Sequence, residues 1–314
     1  MLVSWANEYT GTSSTSSAAA VAASATTTVA AAANYAVASS SSSAASSSAA
    51  ASSASSASAS EASSGTISST SGGWSRSAYY DSASGTSSGL VFLNHYGGSG
   101  SGVFDYTYGN SLSYSNADGT GAASSATTLS STTIGSDVEI VIMTDNECNG
   151  DCGYVRNGTV AYHGFDGASK AFFFEFQMPS IGGSTASEYD PVNMPAIWAL
   201  NAQIPRTLQY GNASCSCWTS GCGEFDIFEV LAAGDSRMKS TLHGNVAGGD
   251  SDYFARPESA TMKAALVLYN NNIHIQVLDD SATFDESLAA STLSDIISST
   301  STQTNTVSLF ALSS

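Results

Sequence analysis

The chain has 314 residues, a formal net charge of −18 and only eight Lys and Arg. So acidic a chain offers no basic patch for nucleic acid and is disfavoured at an anionic membrane surface, whereas an uncharged polysaccharide does not repel it. No apolar run reaches the roughly eighteen residues of a membrane span. No cofactor is called for, and a monomer is expected.

The first element in chain order is compositional. Met1-Leu-Val-Ser-Trp5 lacks a charged start followed by an apolar run, so no signal peptide is legible and the start reads as a truncated terminus. Residues 11 to 72 are almost entirely Ser, Ala and Thr. Few large side chains are available there to offset the entropy of ordering. Residues 1–72 are therefore expected to be a disordered linker, or an O-glycosylated stalk or wall spacer of a secreted chain. Residues 73–314 form the globular part, a size that suits one all-β domain.

From Trp74 onward, aromatic and β-branched residues come in short bursts separated by Gly, Asn, Asp and Ser. The predicted strands are Leu90 to Leu93, Val138 to Thr144, Ala171 to Met178, Ala196 to Leu200, Glu224 to Val230, Met238 to His243, Met262 to Tyr269 and Ile273 to Leu278. In the run from Phe172 to Met178 the even positions are apolar, while Glu175 and Gln177 occupy the other face, as in a half-buried strand. Asn270-Asn271-Asn272 reads as a hairpin loop. Leu288, Leu293, Ile296 and Ile297 have the spacing of one short helix.

Two N-glycosylation acceptors are present, Asn157-Gly-Thr159 and Asn212-Ala-Ser214. The five cysteines are Cys148, Cys152, Cys215, Cys217 and Cys222. The last three lack the paired knuckles of a zinc site, and disulfides suit an extracellular chain better. One cysteine is left over, either free or paired outside this chain.

The segment Glu224-Phe225-Asp226-Ile227-Phe228-Glu229 carries the chemistry. On a regular strand Glu224 and Asp226 share a face and Glu229 falls on the apolar one, where an unpaired carboxylate costs several kcal/mol. A β-bulge between Asp226 and Glu229 would return Glu229 to the face of the other two. An acidic strand can also be a solvated face or a calcium site, but the flanking Phe225, Ile227, Phe228, Val230 and Leu231 argue for a buried central strand. Crowding raises at least one carboxyl pKa, and a protonated acid beside a carboxylate is what glycosidic cleavage needs. Across the bulge the two Glu backbones lie roughly 13 Å apart. Side chains leaning inward by about 4 Å each would bring the carboxyls to about 5 to 6 Å, a retaining geometry.

Glu224-x-Asp226-x-x-Glu229 resembles the ExDxxE signature of laminarinase-type enzymes of glycoside hydrolase family 16. Met194-Pro195-Ala196-Ile197-Trp198-Ala199-Leu200 and Ser240-Thr241-Leu242-His243-Gly244 resemble the segments before and after it. The wider pattern is similar to the fungal cell-wall Target-of-SBF (TOS-type) glucanase-like family. It is carried by Gly89 to Asn94, Ala161 to Gly167, Lys170 to Phe176 and Ile275 to Asp280. This resemblance implies a jelly roll of two curved antiparallel sheets with a concave cleft for a cell-wall β-glucan. Glu224 would be the nucleophile, Glu229 the general acid/base, Asp226 the residue tuning them, Trp198 a sugar platform, and His243 a hydrogen-bonding neighbour of Asp226 or the sugar. The Cys-rich lead-in from Cys215 to Cys222 departs from bacterial laminarinases. Trp218, Tyr210, Tyr253 and Phe254 are further candidates for stacking on sugar faces. Arg206 is a candidate for orienting a hydroxyl.

Overall fold

A computed structural model describes residues 74–182, 192–210, 222–243, 250–299 and 306–312. The Ser/Ala/Thr tract, and with it Asn212, Cys215, Cys217 and Trp218, lie outside these residues. In chain order the first strands are β1 (Trp74–Ser75), β2 (Tyr79–Asp81), β3 (Thr86–Ser88), β4 (Leu90–Asn94), β5 (Phe104–Asp105), β6 (Gly109–Asn110), β7 (Ser113–Ser115), β8 (Ala122–Ala123) and β9 (Val141–Thr144). β10 (Lys170–Phe176) and β11 (Ala196–Leu200) lead to the short helix α1 (Gln203–Thr207). Then come β12 (Glu224–Glu229), β13 (Arg237–His243), β14 (Asp250–Ala255), β15 (Met262–Tyr269), β16 (Asn272–Val277), β17 (Ser287–Leu288), α2 (Ala290–Ser298) and β18 (Val307–Ala311). The protein is thus all-β, with little helix.

Three four-stranded antiparallel sheets carry the architecture. Their orders are β10-β15-β16-β18, β11-β12-β13-β14 and β8-β7-β4-β9. The largest core draws on all three, with Phe92 from β4, Phe174 and Phe176 from β10, Phe225, Ile227 and Phe228 from β12, Leu266 from β15 and Phe310 from β18. Ring contacts knit two of the sheets together: Phe176 lies 5.2 Å from Phe228, and Phe225 lies 5.2 Å from Phe310. Burying these rings supplies the main driving force for assembly.

β10 departs from the half-buried expectation. Phe174 and Phe176 enter the large core, but Ala171 and Phe173 on the opposite face enter a second one with Leu293 and Ile296 of α2. The helix roofs that end of the sheet, so the run Phe172-Phe173-Phe174 has apolar neighbours on both sides. α2 starts later than the apolar spacing suggests, because Leu288 is already used in β17, where it pairs with Trp74. The strand predicted from Val138 begins only at Val141, after a turn in which Asp137 has φ 63°. Asn270 and Asn271 form the tight turn between the paired residues Tyr269 and Asn272, with φ 49° and 57°. Asn tolerates that left-handed backbone better than most residues, and two such positions match the twist of a hairpin. Asn272 itself opens β16. Cys148 and Cys152 are joined in a disulfide, and Cys222 is disulfide-bonded as well.

Candidate active site

β12 lies between β11 and β13, inside its sheet. The chain enters it through Gly223 at φ +83°, a backbone that a side chain would strain. From Glu224 the strand alternates normally: Phe225 points into the core and Asp226 away from it. The register with β13 then slips between Asp226 and Glu229. Ile227 and Phe228 both enter the core, at 1% and 0% exposure. Two consecutive residues on one side return Glu229 to the side of Glu224 and Asp226, as a bulge does. The pairing with β11 shifts at the same place: Ile197 is opposite Phe228 and Trp198 opposite Asp226, so Ile227 of β12 is the extra residue.

Residues directly opposite one another on paired strands share a face. On β11, Trp198 is opposite Asp226, Leu200 opposite Glu224 and Ala196 opposite Glu229. On β13, His243 is opposite Glu224, Thr241 opposite Asp226 and Lys239 opposite Glu229. Tyr253 on β14 is opposite Lys239 and therefore joins this face at its far side, with the Arg237 guanidinium 4.6 Å from its ring centre. Phe254, considered for sugar stacking, is instead fully buried in the core, because alternation along β14 turns it inward. Arg206 is also structural: it is buried and donates to the Tyr162 carbonyl at 3.3 Å. Asn157 is exposed in a turn.

Asp226 is 4% exposed, and its Oδ2 lies 2.9 Å from Nε2 of the half-exposed His243. Glu224 has its pKa pushed up to about 8, first by burial, then by the charge of Asp226 and a hydrogen bond to it. Glu229 is also raised, by burial and then by Asp226, while His243 pulls it back down. Three acids crowded in one partly buried cluster disfavour full ionisation near neutral pH, so the cluster as a whole favours keeping a proton there. Oε2 of Glu224 is buried and has no hydrogen-bond partner.

A cavity of about 990 Å3 is lined by all three acids and Trp198. Only part of that volume is polar, because Phe172, Leu266 and other apolar side chains wall the remainder. Beside Glu224 the cavity holds a group that sequence reading did not single out. Glu139 accepts hydrogen bonds from the Tyr210 hydroxyl and from Nε2 of Gln209, the latter at 3.0 Å. The His95 ring packs edge-on to Tyr210 at 5.5 Å. Glu139 contributes to the raised pKa of Glu224. It lies far from the acidic motif in the chain and carries no local pattern, so only the fold brings it there.

Glu224, Asp226 and His243 each place one possible ligand atom within 4.8 Å of the others. That span would admit a cation, and acids this close can also relieve their crowding by keeping a proton. The second such group among the described residues is Cys148, Cys152 and His163. Its sulfurs are bonded to each other and are not thiolates.

Fold and site together define an all-β protein with a carboxylate-lined cleft. The chain belongs to the cell wall protein YJL171C/Tos1 family, whose C-terminal model matches residues 72–296. It is 45% identical over 233 residues to a protein of Candida albicans named "Probable circularly permuted 1,3-beta-glucanase TOS1", covering 71% of this chain and 49% of that one. It is 48% identical over 190 residues to the Saccharomyces cerevisiae protein of the same name, covering 60% of this chain and 41% of that one. An Arthroderma benhamiae protein named "Probable circularly permuted 1,3-beta-glucanase" is 56% identical over 124 residues, covering 38% and 28%. The chain thus spans half or less of the length of these relatives. No solved structure matches the chain significantly. Among the described residues, no helix is long and apolar enough to cross a membrane.

Proposed function

We propose that the protein is an endo-acting glycosidase of the fungal cell wall that cleaves β-1,3-glucan by a retaining double displacement, in wall remodelling. The observation that carries this reading is the bulge in β12, which puts Glu224, Asp226 and Glu229 on one face opposite Trp198 and His243. Relatives named as probable 1,3-beta-glucanases support the substrate class. In this reading the sheets form the two layers of a jelly roll, the acidic face lines the concave side, and the Ser/Ala/Thr tract tethers the catalytic domain to the wall.

Glu224 attacks the anomeric carbon as the glycosidic bond breaks, and Glu229 donates its proton to the departing oxygen. Glu224 must first lose the proton it shares with Asp226. Asp226 takes that proton, held in place by His243, so the nucleophile forms without release of a charge into a partly dry site. Water then attacks the glycosyl-enzyme while Glu229, now a carboxylate, accepts its proton. Trp198 stacks on a sugar ring beside the reacting bond, and Tyr253 does so further along the cleft.

The test is reducing-end release from laminarin by the wild type and by Glu224→Gln. The wild type should turn over, with the β-anomer as the first product, and the variant should lose at least about a thousandfold. Equal, near-zero rates in both would point to a binding protein without turnover. Products longer than the substrate would mean that a sugar acceptor replaces water, a transglycosylase with the same residues.

A further inference from the structure

Among the described residues, four exposed aromatic side chains come from two short segments outside the cleft. Tyr106 is 99% exposed, Tyr154 74%, Phe104 51% and Tyr108 39%, and none of them lines the cavity. Single exposed rings are ordinary on protein surfaces, but a concentration of them on one element is not. Three sit on the β5–β6 hairpin, whose tip is held with unusual care for a surface loop.

Asp105 accepts hydrogen bonds from the backbone N–H groups of Thr107 and Tyr108 at 2.9 and 2.7 Å, which fixes the turn. Its other oxygen pairs with Arg156 at 2.5 Å. The same guanidinium donates to the Gly109 carbonyl at 2.6 Å and lies 5.8 Å from the Tyr108 ring centre. Arg156 is itself buried, so the clamp is part of the body of the protein. Tyr106 packs edge-on to Phe104 at 5.3 Å. The backbone that carries Tyr106 and Tyr108 is therefore fixed, so its ordering entropy is not lost again on binding.

We propose that this hairpin is a second carbohydrate site, which binds a neutral polysaccharide strand by stacking on Tyr106 and its neighbours and holds the protein on an insoluble polymer. Three features select that ligand. The exposed groups are flat rings, three of the four bearing a hydroxyl, rather than aliphatic side chains, which suits the C–H faces and hydroxyl rims of sugars. The one ion pair beneath them is internally neutralised, so nothing there attracts a charged partner. The net charge of −18 disfavours anionic polymers. The choice of β-1,3-glucan as probe rests on the proposed function.

The experiment compares wild type with a Phe104→Ala/Tyr106→Ala variant in two assays. Retention on insoluble β-1,3-glucan is measured with both proteins carrying Glu224→Gln, and turnover of soluble laminarin oligomers with neither carrying it. Retention should weaken by about five- to tenfold, while turnover stays within about twofold. Unchanged retention, or an equal loss in both assays, overturns the proposal. So does absence of retention in a wild type that turns over soluble oligomers. A wild type that neither turns over nor is retained would sink the proposed function as well. Two other occupants are separable. Self-association that the double variant abolishes would assign the patch to a second copy. Retention that depends on these rings only after Asn157→Gln would assign it to a glycan on Asn157, which follows Arg156 in the chain. Either result overturns the polysaccharide reading.

Discussion

The fully buried Ser240 hydroxyl on β13 donates a 2.6 Å hydrogen bond to the carbonyl of Ile227 on β12. That carbonyl sits inside the bulge, where the regular ladder between the two strands is interrupted. A buried carbonyl without a partner would cost about 1–3 kcal/mol, so Ser240 supports the irregularity that turns Glu229 toward Asp226.

Ser240→Ala should lower the unfolding free energy by about 1–3 kcal/mol and reduce kcat more than it raises KM. Urea denaturation and steady-state kinetics on laminarin measure the two effects. A variant as stable and as active as wild type would show that the bulge stands without this bond.

The raised pKa of Glu224 makes a signed prediction about stability. The native state holds this proton from the ordinary value of 4.5 up to about 8, whereas the unfolded chain has already released it. The native state binds more protons across that window, so the contribution of Glu224 to stability falls as pH rises through it. Glu224→Gln removes the penalty. Its melting temperature should match wild type near pH 4 and exceed it near pH 8.5. A constant difference across that range would contradict the assignment.

His243 lowers the pKa of Glu229 against the raising effects of burial and Asp226. His243→Ala should move the alkaline limb of the kcat/KM profile to higher pH, because that limb reports loss of the acid's proton in the free enzyme. His243→Asn, which keeps a polar partner for Asp226 but removes the imidazole, should shift it the same way while retaining more activity. A limb that stays in place would detach His243 from the acid.

Trp198 is opposite Asp226 and lines the cavity with the acids. If it stacks on sugar, Trp198→Ala should lower kcat/KM by about tenfold or more, chiefly through KM, and Trp198→Phe should recover most of the loss. A purely packing role would show as a lower melting temperature with KM unchanged.

Much of the sheet framework is legible in the sequence because side-chain alternation and turn residues are local signals. β4, β11, β13, β15 and β16 fall within a residue or two of the runs predicted for them. The short strands β5 to β8 and the later β14 and β18 carry few apolar residues or depend on distant partners, and were not anticipated. β10 shows the same limit from another side: its Phe run announces a strand, but only the docking of α2 explains why both of its faces are apolar.

For the site, the sequence by itself determined the identities and order of the three acids and the conflict between Glu229 and a regular alternation. That conflict has one inexpensive local solution, and the register slip in β12 is that solution. Tertiary structure alone decided which neighbours share the acidic face. Cross-strand pairing depends on residues far apart in the chain, so Trp198, His243 and Tyr253 acquire their places from register. The same holds for Glu139 and Tyr210, which no motif marks and which reach Glu224 only because separate elements pack around one cavity. Local chemistry is written in spacing, whereas the assembly of a site from distant segments depends on how buried faces fit together.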